Sequence, residues 1–149
     1  MTVIIRAVAE KDKEPWQRLY DGYHRYYERP DLPQSFFDQA FDRLIAKKPG
    51  DFIGLVAEDD GKLLGLTHYT YHAHLWRPEG VCYLQDLFTA EDARGKGVGR
   101  ALIQAVYHAA DAAGVPSVYW LTQEFNYAGR MLYDQVATRT PFIRYNRPL

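Results

Sequence analysis

The residues best placed by type and spacing to do chemistry are Arg94-Gly95-Lys96-Gly97-Val98-Gly99-Arg100. Before them, Val81-Cys82-Tyr83-Leu84-Gln85-Asp86-Leu87-Phe88-Thr89 reads as a strand, rich in apolar and aromatic side chains. After them, Leu102, Ile103, Val106, Tyr107 and Ala110 recur at helical spacing, and Gly114 with Pro116 stops the helix. A strand, a glycine-rich turn and a helix together present free backbone N–H groups at the positive end of a helix dipole. A phosphate binds there without any side chain, and Arg94, Lys96 and Arg100 add positive charge. The chemistry implied is anion binding. A Walker loop is excluded, because no glycine is followed after four residues by Gly-Lys-Ser/Thr. A dinucleotide fingerprint fits poorly: the glycines run G-x-G-x-G, and Val118-Tyr119-Trp120-Leu121-Thr122 ends without an acid.

Further candidates lie on either side of that loop. Asp86 reads either as a hydrogen-bonded carboxylate of the fold or as a residue facing substrate. Strand alternation sends Gln85 and Asp86 to opposite faces. Asn126 is a good N-cap for the helix that follows it. His68, His72 and His74 share one parity and are expected to line one face. His-x-His on a strand is a zinc pattern, but no Cys or carboxylate stands nearby in sequence to complete a ligand set. Tyr20, Tyr23, Tyr26, Tyr27 and Glu28 form an aromatic patch closing in an acid. It suits either a groove for a cationic amine or packing at the core edge.

These residues need positioning elements, and the pattern supplies them. Thr2 to Val8 reads as a strand. Pro15 opens a helix with Trp16, Leu19, Tyr20 and Tyr23 on one face. Pro30-Asp31-Leu32-Pro33 breaks the chain, and Gln34 to Lys47 reads as a second helix carrying Phe37, Phe41, Leu44 and Ile45. Phe52 to Glu58, a turn at Asp59-Asp60-Gly61, and Lys62 to His74 read as a hairpin. The order β-α-α-β-β-β-α-β-α-β is mixed α/β (α+β) in one domain spanning residues 1–149.

Three motifs in this order resemble the GNAT superfamily of acetyl-CoA-dependent N-acetyltransferases. Arg94-x-x-Gly97-x-Gly99 resembles its pyrophosphate loop. Tyr83-Leu84-Gln85-Asp86-Leu87-Phe88 resembles its fourth strand in diamine and polyamine acetyltransferases, and Asn126, Tyr127, Ala128 with Leu132-Tyr133 resembles its C-terminal motif. The ending Pro141-Phe142-Ile143-Arg144-Tyr145 is similar to the last strand of a subgroup related to a fungal histone and polyamine acetyltransferase. The resemblance implies a mixed, mostly antiparallel sheet flanked by helices. It implies acetyl-CoA as co-substrate, held by Leu87, Phe88, Thr89, Arg94, Gly95, Lys96, Gly97, Val98, Gly99, Arg100, Asn126, Ala128 and Tyr133, and no metal. An oxyanion donor is placed at the backbone N–H of Leu87, and a general acid at Tyr133. Substrate contacts fall on Tyr27, Glu28, His72, Gln85 and Asp86. Where related polyamine enzymes carry Glu-Asp this chain has Gln85-Asp86, so Asp86 or a water must take the amine's proton.

Composition narrows the partners. A formal net charge of −1 argues against nucleic acid. No stretch reaches the roughly 18 apolar residues of a membrane span. The lone Cys82 allows no disulfide within one chain, and the start lacks a signal peptide, so a cytoplasmic protein is expected. The expected acceptor is a small amine or polyamine, with a protein lysine as a further option. The alternatives are a non-catalytic acyl-CoA sensor, suggested by Gln85, and a degenerate nucleotide-binding domain. The family precedent and the apolar tail point to a homodimer.

Overall fold

The structure, a computed structural model, describes residues 2–149. Five strands form one sheet in the order β1 (Ile4–Ala7), β2 (Ile53–Asp59), β3 (Lys62–His74), β4 (Arg77–Thr89) and β5 (Val118–Tyr119). The first three pairings are antiparallel and the last is parallel. Asp60-Gly61, with φ of 49° and 82°, closes the β2–β3 hairpin as the Asp-Gly signal predicts.

Helices cover both faces. On one lie α1 (Lys13–Tyr26) and α2 (Gln34–Ala46). Their Trp16, Leu19, Tyr20, Phe37, Phe41 and Leu44 pack with Val8, Val56, Leu63 and Leu66. On the other lies α3 (Val98–Ala112), whose Ile103, Val106 and Ala110 pack with Tyr69, Cys82 and Leu84. Against that cluster α4 (Tyr127–Val136) rests Leu132, Tyr133 and Val136. Arg6 fastens the start of the chain, donating to both Asp12 oxygens at 2.7 and 2.8 Å and to Glu58 at 2.6 Å.

Two features of the sheet shape the site. A bulge lies where β3 and β4 pair: His68 opposes Asp86, yet Tyr69 opposes Leu84, so Gln85 is the extra residue. The β4–β5 ladder has only two rungs, Cys82 with Val118 and Tyr83 with Tyr119. Beyond Tyr83, β4 continues against β3 to Thr89 while its other edge faces a gap.

Two expected strands are shorter or missing. Val118–Thr122 pairs only over Val118–Tyr119, and Pro141–Tyr145 forms no strand. A strand exists only by pairing, and no described strand lies against that segment. Phe142, Ile143 and Tyr145 are instead 77%, 77% and 87% exposed. Among the described residues no helix is long and apolar enough to cross a membrane.

Candidate active site

The glycine loop folds as its composition dictates. Gly97 sits in the left-handed region at φ 80° and begins α3, a conformation that costs a residue with a Cβ about 1 kcal/mol or more. No side chain caps α3, and its first turn holds no acid. The N–H groups of Val98, Gly99 and Arg100 therefore open outward at the helix's positive end. Arg94, Gly95 and Lys96 are exposed beside them. Arg94 donates to the Thr89 carbonyl at 3.2 Å and lies 5.5 Å over the Phe88 ring, which ties the loop to the end of β4. Lys96 is held by the Asp92 carbonyl, and Arg100 by Gln135 of α4. An uncapped helix N-terminus beside three cations is suited to an anion.

The gap between β4 and β5 leads from the loop into the sheet. Ala90 donates its N–H to Leu64 across to β3. Residues of opposite parity, Leu87 and Thr89, therefore aim their N–H groups away from β3 and into the gap. On the gap's far side Asn126 caps α4, accepting from Gly129 N–H at 3.2 Å and donating to Thr122 at 3.0 Å. Ala128 is exposed one position into that helix. Tyr133 sits on α4 with its ring 5.5 Å from Trp120, and its hydroxyl has no hydrogen-bond partner among the described residues. Burial, then the neighbouring Tyr27 and Tyr26 hydroxyls, push Tyr133 up to about 12, so it holds its proton through the neutral range.

Behind β4 lies a buried polar chain. Tyr20 donates to Asp86 Oδ2 at 2.9 Å, His68 Nδ1 meets the same oxygen at 2.8 Å, and Trp16 Nε1 donates to His68 Nε2 at 2.9 Å. An indole N–H can only donate, so His68 Nε2 is an acceptor, and the ring proton sits on Nδ1 and points at Asp86. Trp16, His68 and Asp86 are 0%, 4% and 3% exposed. Burial alone would raise the Asp86 carboxyl, but the donors His68, Tyr23 and Tyr20 hold it below the usual range. Burial, with Asp86 close by, pushes the Tyr20 and Tyr23 hydroxyls upward. Gln85 Nε2 lies 3.4 Å from both Asp86 oxygens. A cavity of about 140 Å³, lined by Trp16, Arg43, His68, Gln85 and Asp86 among others, adjoins them.

Alternation therefore misplaced one pair. The bulge at Gln85 puts Gln85 and Asp86 on one side, touching each other and lining one cavity. The three histidines are also not brought together as a group. His68 is used by Trp16 and Asp86, His72 by Tyr119 and the Ala73 carbonyl, and His74 by Trp76 N–H. Among the described residues no group of three His, Cys, Asp or Glu is placed to hold a metal. His72 stands exposed beside Tyr119, which stacks on Tyr83 at 4.9 Å. Tyr27 is half-buried against Tyr23 and Tyr26, and Glu28 is exposed at φ 59° just past α1. From sequence Trp16 reads as one face of the first helix, Tyr20 as part of a patch suited to a cationic-amine groove or core-edge packing, and His68 as part of a histidine row with a zinc pattern. Only the β3–β4 register reveals their common partner.

The acetyltransferase (GNAT) family model matches residues 16–137. The chain belongs to the GNAT acetyltransferase family. It is 35% identical over 150 residues to D-amino-acid N-acetyltransferase HPA3 of Saccharomyces cerevisiae, covering 97% of this chain and 90% of that one. Two solved GNAT-like structures share the fold. One is a ribosomal-protein-alanine N-acetyltransferase from Brucella melitensis biovar Abortus 2308 (TM-score 0.83, 22% identity, 99% of this chain and 100% of that one). The other is AAC(6')-Iy bound to the bisubstrate analog CoA-S-monomethyl-acetylneamine (TM-score 0.85, 18% identity, 100% and 99%). The expected family and mixed α/β architecture are borne out, and this GNAT protein is an N-acetyltransferase. GNAT acetyltransferases use acetyl-CoA, and the chemistry is acetyl transfer to an amine.

Proposed function

We propose that this chain moves the acetyl group of acetyl-CoA to the primary amine of a small molecule by direct attack in a ternary complex. The observation that carries this is the gap beside β4. It has the uncapped α3 N-terminus at one end and the Leu87 N–H aimed into it, with Tyr133 on α4 and Asp86 in the buried chain behind β4.

The physical problem is a protonated nucleophile and a developing oxyanion. An alkylamine has a pKa near about 10.4 and must shed a proton before it attacks. Asp86 Oδ1 takes that proton through a water beside Gln85, because Oδ2 is already occupied by Tyr20 and His68. The amine nitrogen bonds to the thioester carbonyl carbon, and the Leu87 N–H steadies the oxygen as it gains charge. The C–S bond breaks, the electron pair leaves on sulfur, Tyr133 donates its hydroxyl proton to the thiolate, and the attacking nitrogen gives up its second proton to the tyrosinate, leaving the neutral amide. The α3 N-terminus with Arg94, Lys96 and Arg100 holds the pyrophosphate, while Phe88, Thr89, Asn126 and Ala128 flank the pantetheine arm.

The acceptor class is supported by the aromatic Tyr27, Tyr83 and Tyr119 beside the site and by the low net charge, which does not favour a nucleic-acid partner. The yeast relative is a D-amino-acid N-acetyltransferase, which extends the acceptor panel from polyamines to D-amino acids. The exposed Phe142, Ile143 and Tyr145 support pairing of two copies as a homodimer, which light scattering tests directly. The deciding experiment is thiol release from acetyl-CoA against polyamines, D- and L-amino acids and a lysine peptide, with calorimetric acetyl-CoA binding alongside. Turnover with one small-amine class is expected. Binding without turnover across the panel would return the sensor reading.

A further inference from the structure

We propose that Trp16 and His68 are positioning residues for catalysis: Trp16 locks His68 in one neutral tautomer, which presents Asp86 with its Oδ1 free to take the acceptor's proton. This rests on the reading of Asp86 as the group that receives the amine's proton. The geometry is a chain of single-purpose contacts. Indole N–H donates to His68 Nε2 at 2.9 Å, and His68 Nδ1–H donates to Asp86 Oδ2 at 2.8 Å. Tyr20 donates to the same oxygen at 2.9 Å. Oδ2 carries the two short bonds, while Gln85 Nε2 lies 3.4 Å from either oxygen, so Oδ1 is the oxygen better placed to accept a proton from the cavity they line.

The lock has a chemical purpose. Were His68 to take a proton on Nε2, it would become an imidazolium beside Asp86, and the carboxylate would lose affinity for the acceptor's proton. Trp16 prevents this by occupying Nε2 with a donor. The same occupation bars a shuttle through His68: Nδ1 already carries its hydrogen, so a proton arriving at Asp86 stays there until it leaves to solvent by the cavity. Other ionisable groups face the pair from each packed element. Tyr20, Tyr23 and His24 come from α1, and Arg43 from α2 is itself tied to Asp51 at 2.6 Å. His68 and Asp86 belong to β3 and β4. None of these groups contacts His68 Nε2, so Trp16 is its sole guard among the described residues.

The test is the pH dependence of kcat/KM for an amine acceptor between about pH 3 and 8, a window that includes the carboxylate range. Trp16→Phe keeps an aromatic ring against Tyr20 and Phe41 but removes the donor. Its acidic limb is expected to move down by about one pH unit, the effect of a new cation within contact of a carboxylate. The double variant W16F/H68Q should restore the wild-type limb, since a glutamine amide donates to Asp86 but does not titrate. Nitrogen NMR of wild-type imidazoles gives a readout free of turnover and of any variant: His68 is expected with a protonated Nδ1 and a bare Nε2. A protonated Nε2 overturns the proposal, as do identical limbs in wild type and W16F, or a shift that persists in W16F/H68Q. Wild-type protein that turns over no amine overturns the functional reading itself, and this proposal with it.

Discussion

Replacing Gly65 with alanine tests whether the seat of α3 governs the cofactor cradle. Gly65 lies on β3 opposite Thr89, directly under the start of α3. A Cβ built there falls 2.8 Å from the Phe88 carbonyl oxygen, 3.0 Å from Val98 Cγ1 and 3.2 Å from Leu102 Cδ1. Carbon atoms pack best at about 3.5–4.0 Å, so Val98 must retreat by roughly half an ångström or more. The carbonyl belongs to a paired strand and yields little, so most of the movement falls on α3. Overpacking of this kind costs about 1–3 kcal/mol, and each kcal/mol lowers Tm by about 2–4 °C in a chain of this size. The first turn of α3 carries the N–H groups proposed to hold the pyrophosphate. Weakening one charge-assisted bond there by about 1.5 kcal/mol raises the acetyl-CoA Kd roughly tenfold. Differential scanning calorimetry and titration calorimetry on one preparation read both effects. A variant with wild-type Tm and wild-type Kd would refute the argument, and a Tm loss with unchanged Kd would detach the cradle from the seat of α3.

Three further outcomes are expected. Tyr133→Phe should lower kcat by about a hundredfold with acetyl-CoA affinity unchanged, and because burial holds Tyr133 up to about 12, the wild-type kcat/KM profile should show no tyrosine limb near pH 10. Gln85→Glu sets a second carboxylate where an amide now lies 3.4 Å from both Asp86 oxygens, so the acidic limb should rise by about 1–2 pH units; an unmoved limb would remove Asp86 as the titrating group. Asp12 is held below its usual range, first by the Arg6 guanidinium and next by the Ala9 N–H, against the opposing effect of burial. Its stabilisation is present above the unfolded value near about 4 and is lost as pH falls through the lower folded value. Asp12→Asn should therefore flatten the acid branch of a urea-midpoint-against-pH curve, and an unchanged branch would contradict that assignment.

How much of this was legible in the chain depends on how far each signal reaches. The loop Arg94–Arg100 was readable because its meaning is local: a glycine at positive φ, a helix that follows, no cap and no acid. The Asn126 cap and the Asp60-Gly61 hairpin are local in the same sense. The Trp16–His68–Asp86 chain spans separations of 52 and 18 residues, and it depends on one bulge that no residue type announces. Plain alternation across Gln85 gave the wrong side for Asp86 for that reason. Parity also grouped His68, His72 and His74, but partners from α1, β5 and the hairpin tip separated them. The apolar run at Pro141–Tyr145 reads as a strand by composition, yet pairing needs a neighbour that sequence does not supply.

A sheet that parts after two rungs carries an edge in its own interior. Ordinary edges lie at the margin, where charge, proline or a covering loop blunts them. Here Leu87 and Thr89 sit on a strand flanked on both sides, yet their amides point into open space. Native-state hydrogen exchange should therefore be uneven along β4. Amides turned toward β3 would be retained for as long as the global fold persists, while those of Leu87 and Thr89 would exchange early, as a terminus does. Slow labelling is a map of pairing rather than of depth, and in this molecule the two part company at the centre of the sheet.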